Sequence, residues 1–213
     1  MISAPIAALP PLNGPPPGAY HAVMSLKTTM DQDALAGLEV LRYPDPRLRQ
    51  AAEPLRPEDL DGSFLDLVAR MYELMAERKG VGLAATQLGV PLRVFVANPT
   101  GEPADRHAYV NPRITAYEGT AQTEEGCLSV PGIHTKIKRH AKVTLEAVDL
   151  GGRPVRVEAD GLLARIFQHE IDHLDGKLLI DRMGTVARLS HRAAIKQLEE
   201  DYADDRKAAP STR

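Results

Sequence analysis

Between Phe64 and Met75 apolar side chains recur at spacings of three and four. Phe64, Leu65, Val68, Met71, Leu74 and Met75 share one face, which predicts an amphipathic helix from about Gly62 to Arg78. Gly80 ends it and opens a loop. The pattern then changes: Leu92-Arg93-Val94-Phe95-Val96-Ala97 is dense in β-formers and reads as a strand. Strands are also predicted at about 108–111, 141–149 and 153–158, the last two around the Gly151-Gly152 turn. Helical periodicity returns after Asp160, a good N-cap residue, and stops near Gly176. A further helix is predicted from about Thr185 to Asp201. There is no internal repeat, and the order helix, strands, helices predicts a single α+β domain, not alternating βαβ units.

Turn residues set the limits of that domain. Leu38, Val40 and Leu41 precede Pro44-Asp45-Pro46, whereas Pro10, Pro11, Pro15, Pro16 and Pro17 crowd the start of the chain. The division expected is a disordered proline-rich extension over 1–35, a folded domain over 36–203, and a disordered charged tail over 204–213. A chain of 213 residues that is 43% hydrophobic supports one such core. Twenty-six basic against twenty-nine acidic residues give a formal charge of −3, too little positive field to hold nucleic acid by its phosphates. No run approaches the roughly 18 apolar residues of a membrane span, and the first 35 residues lack the arginines of an organellar transit peptide. The single cysteine excludes an internal disulfide and fits a reducing compartment, so the cytoplasm is the expected location.

The chemistry concentrates in three segments. His169-Glu170-Ile171-Asp172-His173 is an HExxH pattern on the helix after Asp160. Residues i and i+4 lie one turn apart on one face, so both imidazoles point at one spot, with Glu170 beside it as a candidate base. Leu162 and Ile166 continue the stripe of His169 and His173, as an apolar pocket wall would. Leu163, Phe167, Ile171 and Leu174 form a neighbouring stripe that reads as core. Two histidines do not complete a zinc-type site, which needs three protein ligands and an open position. His191, Asp181, Glu199 and Glu200 are available downstream. Upstream, Cys127 stands in a loop in Glu124-Glu125-Gly126-Cys127-Leu128-Ser129-Val130-Pro131-Gly132, and is favoured because it sits next to a flexible glycine. The third segment, Gly80-Val81-Gly82-Leu83-Ala84-Ala85-Thr86-Gln87, lacks the Walker lysine and reads as a tight turn. Asp172 is expected to be a supporting partner, and His21, His107, His140 and His191 read as surface residues.

Together, and in this order, GVGLAATQ, EEGCLSVPG and QHEIDHLDG resemble the three motifs of the peptide deformylases, and the likeness extends over roughly residues 38 to 185. The resemblance implies an α+β fold with the HExxH helix packed among small antiparallel or mixed sheets. It implies one divalent metal ion on Cys127, His169 and His173: ferrous iron in cells, with Zn2+, Ni2+ or Co2+ accepted in preparations. It makes Glu170 the proton carrier and places the Gln87 amide and the Leu128 backbone N–H as oxyanion donors. Val81, Gly82 and Gly126 would bind the peptide backbone, and Val81, Leu128, Leu162 and Ile166 would wall the methionine pocket. The implied partners are N-formyl-methionyl nascent peptides, with transient ribosome contact through the C-terminal helix and neither membrane nor direct nucleic-acid binding. His134 and Arg165 depart from the residues common in the family. Two rivals are a zincin-like metallopeptidase with a downstream ligand and a catalytically inactive peptide-binding relative.

Overall fold

The structure, a computed structural model, describes residues 32–208; residues 1–31 of the extension predicted over 1–35, the last part of the tail, 209–213, and His21 lie outside them. The chain runs α1 (Gln32–Ala36), α2 (Gly62–Glu77), β1 (Gly82–Ala84), β2 (Val94–Ala97), β3 (His107–Glu118), β4 (Ala121–Cys127), β5 (Val130–Arg139), β6 (Lys142–Val148), β7 (Pro154–Asp160), α3 (Gly161–Leu174), α4 (Leu179–Arg182), α5 (Thr185–Ser190) and α6 (Arg192–Ala208). Among the described residues no helix is long and apolar enough to cross a membrane.

The predicted α+β architecture is the one found. Strands β1, β2, β3, β6 and β7 form an antiparallel sheet in the order β1-β2-β3-β6-β7, and β4 and β5 form a separate two-stranded sheet. Asp61 caps α2 by accepting from Phe64 N–H, and the helix buries Phe64, Leu67, Val68, Met71, Leu74 and Met75. These pack with Leu83, Val94 and Val96 of the sheet. On α3, Phe167 and Leu174 meet Phe95, Tyr109 and Leu145 in a second cluster, which Leu163 and Ile171 flank as the core stripe predicted. A third cluster joins Ile133 and Ile137 of β5 to Leu48, Leu179, Ile180 and Ile195.

Several expectations change. The strand expected at 108–111 continues to Glu118, and β4 and β5 were not anticipated. On β4 the buried position is Glu125 and its neighbours are exposed, so the alternation carries no apolar signal. Cys127 is therefore the last residue of a strand, paired with Val130 across the Leu128-Ser129 turn, and not a loop residue. The segment read as a tight turn splits into β1 and a 3-10 turn over Ala85–Leu88, closed by Gly89 at φ +74°. The single C-terminal helix is broken at His191, just after Ser190 Oγ bonds back to the Val186 carbonyl, a bond that bends helices. Beyond the break α6 reaches Ala208, inside the segment assigned to the tail. Lys196–Glu200, Gln197–Asp201 and Lys207–Asp204 pairs line its polar surface, and the Tyr43 hydroxyl donates to Glu199. At the other end, α1 reaches back to Gln32 and buries Leu35, inside the segment assigned to the extension.

Helix α3 ends as its sequence predicts. Gly176 takes φ +70°, its N–H bonds to the His173 carbonyl, and Lys177 N–H bonds to that of Asp172. The same glycine lets the chain at Arg49 pass close by, since a Cβ there would stand 2.5 Å from the Arg49 carbonyl oxygen. Gly176→Ala combines left-handed strain with a backbone clash and is expected to lower stability by about 2–4 kcal/mol in denaturant unfolding. A change below about 0.5 kcal/mol would contradict this packing.

Candidate metal centre

Helix α3 and the end of β4 bring the candidate ligands together. The i, i+4 spacing sets the His169 and His173 rings 5.0 Å apart between centroids. The hairpin turn after Cys127 swings its Sγ to 3.1 Å from His173 Nε2. One donor atom each of Cys127, His169 and His173 lies within 4.8 Å of the other two, and this is the sole such cluster of three among the described residues. Tetrahedral ligands at about 2.3 Å for sulfur and 2.1 Å for nitrogen stand about 3.6 Å apart, so the set needs only small adjustment to close on an ion. A thiolate with two imidazoles suits transition metals and not magnesium or calcium. The downstream alternatives are engaged elsewhere: Asp181 pairs with Arg49, Glu199 accepts from Tyr43, Glu200 pairs with Lys196, and His191 sits at the α5–α6 break.

What aims the candidate ligands was not foreseen. Glu125 Oε2 lies 3.0 Å from His169 Nδ1, so the ring donates there and turns its Nε2 to the cluster. The same carboxylate accepts from Arg139 Nε at 2.6 Å and Nη2 at 2.9 Å, and Arg139 Nη1 donates to Asp172 at 2.9 Å. Arg182 holds Asp172 from the other side. Glu125, Arg139 and Asp172 are all buried. Asp172 thus supports the site, as expected. Glu125 and Arg139 were missed, although the two-residue spacing of Glu125 and Cys127 along one strand was a usable signal. Burial alone would raise the Glu125 carboxyl, but hydrogen bonds from His169 and Arg139 and the arginine charge together lower it. Burial, with the charges of His169 and Arg139, holds His173 well below its ordinary value, which keeps the imidazole neutral. Burial works against a charge on His169, yet Cys127 and Glu125 on either side outweigh it and raise its pKa. An ion must then displace a proton, so its affinity falls as pH drops.

A cleft of about 460 Å³ opens on the Cys127 and His169 side. It runs between β1, an edge strand, and β4, and is lined by Val81, Gly82, Gln87, Gly126, Leu128 and Ile166 with Glu170 among others. A larger hollow of about 650 Å³ on the outer sheet holds none of the candidate residues. His173 is buried behind the cleft; Leu162, 37% exposed, is not among the lining residues. Glu170 is buried, its Oε2 has no hydrogen-bond partner, and burial pushes its carboxyl up to about 7. Gly82 makes room for it, because a Cβ there would stand 2.4 Å from Glu170 Oε1. At Gly82, where the resemblance places peptide-backbone binding, the space left by the missing side chain is thus partly taken by the candidate base. Gln87 is oriented by its own backbone: its Oε1 accepts from Ala84 N–H at 2.9 Å, which turns Nε2 to Ser129 Oγ at 3.1 Å and towards Cys127 Sγ at 3.8 Å.

Residues 38–188 match the sequence model of the polypeptide deformylase family. A peptide deformylase from Chromobacterium violaceum is 40% identical over 166 residues, 78% of this chain and 98% of that protein. One from Alkalilimnicola ehrlichii is 42% identical over 165 residues, 77% and 92% of the two chains. The crystal structure of a Legionella pneumophila peptide deformylase superposes with a TM-score of 0.72 at 39% identity, covering 78% of this chain and 97% of that one. A peptide deformylase 1B of Arabidopsis thaliana, in complex with an inhibitor, superposes at 0.75 with 36% identity, covering 83% and 97%.

Three substitutions test the centre. Cys127→Ala is expected to purify without stoichiometric metal by elemental analysis while His191→Ala keeps it; a downstream ligand would give the reverse. Arg139→Met takes the shared guanidinium from two buried carboxylates, leaving Glu125 only His169 and Asp172 only Arg182, and is expected to cost about 3–5 kcal/mol in denaturant unfolding.

Proposed function

The chain belongs to the peptide deformylase family, and on that premise we propose that it removes the formyl group from the N-terminal formylmethionine of newly made polypeptides in the cytoplasm, releasing formate. The observation that carries this reading is the unpartnered, buried Glu170 Oε2 at a cleft that also presents Cys127, His169 and the Gln87 amide. Cys127, His169 and His173 would hold one divalent ion, ferrous iron in cells, with zinc, nickel or cobalt in some preparations. When bound, the ion supplies a Lewis acid that acidifies water and polarises the formyl oxygen.

The chain's own groups do the rest. Glu170 accepts the proton of the attacking water and returns it to the leaving amine; a buried carboxyl near neutrality serves both steps. The Gln87 Nε2–H and the Leu128 backbone N–H stabilise the developing oxyanion, with the amide already fixed through Ala84. The peptide runs as an added strand between β1 and β4, pairing with main-chain groups of Val81, Gly82 and Gly126. Its methionine enters the apolar wall of Val81, Leu128 and Ile166. Leu162 is left out of that wall because of its place outside the cleft lining. The unbranched thioether suits such a slot. Among the described residues the zincin-like rival has no downstream ligand in reach, and the inactive-relative rival is disfavoured by the complete set of Cys127, His169, His173, Glu170 and Gln87. Transient ribosome contact through α5 and α6 draws on Arg188, Arg192 and Lys196, the last already paired with Glu200. Equal co-sedimentation of an Arg188→Glu, Arg192→Glu variant would remove it.

Protein loaded anaerobically with iron is expected to release formate from a formyl-Met peptide. Glu170→Ala is expected to abolish release while retaining the metal, and Gln87→Ala to lower kcat by about a hundredfold. Absence of formate from the metal-loaded, unsubstituted protein would overturn the reading.

A further inference from the structure

Resting on the deformylase reading above, we propose that the mouth of this cleft selects formylated peptides that carry a carboxylate in the residues just after the methionine. Three cationic side chains line it: Arg78 and Lys79 from the turn after α2, and Arg165 from α3. Among the described residues none of the three pairs with a carboxylate, whereas arginines elsewhere on the surface commonly do, as Arg47, Arg49, Arg70, Arg93 and Arg153 show. This concentration is local, because the chain as a whole carries a formal charge of −3.

Arg165 is held in place. It lies one turn before His169 on α3, and its Nη1 donates to the Glu124 backbone carbonyl at 3.1 Å, bridging the mouth from α3 to β4. That bond uses one of five N–H donors and leaves the charge without a counterion. The acidic residues of the cleft cannot cancel it equally. Glu125 is committed to Arg139 and His169, Glu170 is buried at the base of the site, and only Glu124, opposite Lys136 in the β4–β5 register, is exposed at the rim. An extended peptide advances about 3.3 Å per residue, so with its formyl group beside Glu170 the positions after the methionine pass this rim. A formylated terminus brings no ammonium charge, so the sign of those next side chains decides the electrostatic fit.

The experiment compares kcat/KM for formyl-Met-Ala-Xaa-Ala amides with Asp, Ala or Lys at Xaa, using the iron-loaded protein. The Asp peptide is expected to exceed the Lys peptide by about tenfold at low salt, chiefly through KM. The ratio should shrink to about two- or threefold near 0.5 M salt, where screening shortens to a few ångströms. Arg165→Leu and, separately, Lys79→Ser should each reduce the low-salt ratio; the salt titration needs no variant and so holds even where one fails to fold. Equal kcat/KM for the three peptides, or a ratio insensitive to both salt and substitution, would overturn this inference while leaving deformylation intact. No formate from any of them would overturn the deformylase reading together with it.

Discussion

Burial of the Arg139 guanidinium between Glu125 and Asp172 is the constraint on which the rest of the centre depends. Desolvating one arginine and two carboxylates costs several kcal/mol per ion, and only well-made bonds offset it. Here each group has them: two bonds from Arg139 to Glu125, one to Asp172, one from His169 to Glu125, and Arg182 on the far side of Asp172. Because these residues come from β4, β5, α3 and α4, satisfying the charges also sets how those four elements meet. The imidazole of His169 inherits its orientation from the same network, so ligand geometry and domain packing are one problem with one solution.

The reactive groups are arranged by space as much as by charge. Gly82 on β1 lets the Glu170 carboxylate come up against the sheet edge, and Gly126 on β4 lets the His134 ring lie over the strand, where a Cβ would be 2.8 Å from it. The two edges can therefore flank one narrow cleft with the Glu170 carboxyl at its base. Gln87 is fixed at the cleft by accepting from Ala84 N–H, with its Nε2 turned to Ser129 Oγ.

Legibility along the chain follows the period of its apolar residues. The helices Gly62–Glu77 and Gly161–Leu174 were predicted almost to their ends, because their stripes run for several turns; Asp61 caps the first by accepting from Phe64 N–H and Gly176 stops the second, whereas Lys79 at φ 55° closes the first and the Asp160 side chain makes no cap bond. The hairpin of β4 and β5 escaped notice because its inward positions include Glu125, Thr135 and Arg139, which make a polar interior that a hydrophobic pattern cannot register. Helix Arg192–Ala208 was expected to stop sooner because its stability comes from side-chain pairs and contact with Tyr43, and not from a long apolar face.

By itself the sequence placed the two histidines on one face as a candidate ligand pair, since four residues on a helix make about one turn whatever surrounds it, and it marked the glycine that ends that helix. The family likeness named Cys127 as the third ligand, but its closeness to His173 is a property of the β4–β5 turn and its seat against α3, contacts between segments far apart in the chain. Tertiary structure alone decided that Glu125 aims His169, that Leu162 stands outside the cleft, and that Arg78, Lys79 and Arg165 share its mouth. Local spacing fixes which side chains face the same way; only packing fixes what they face.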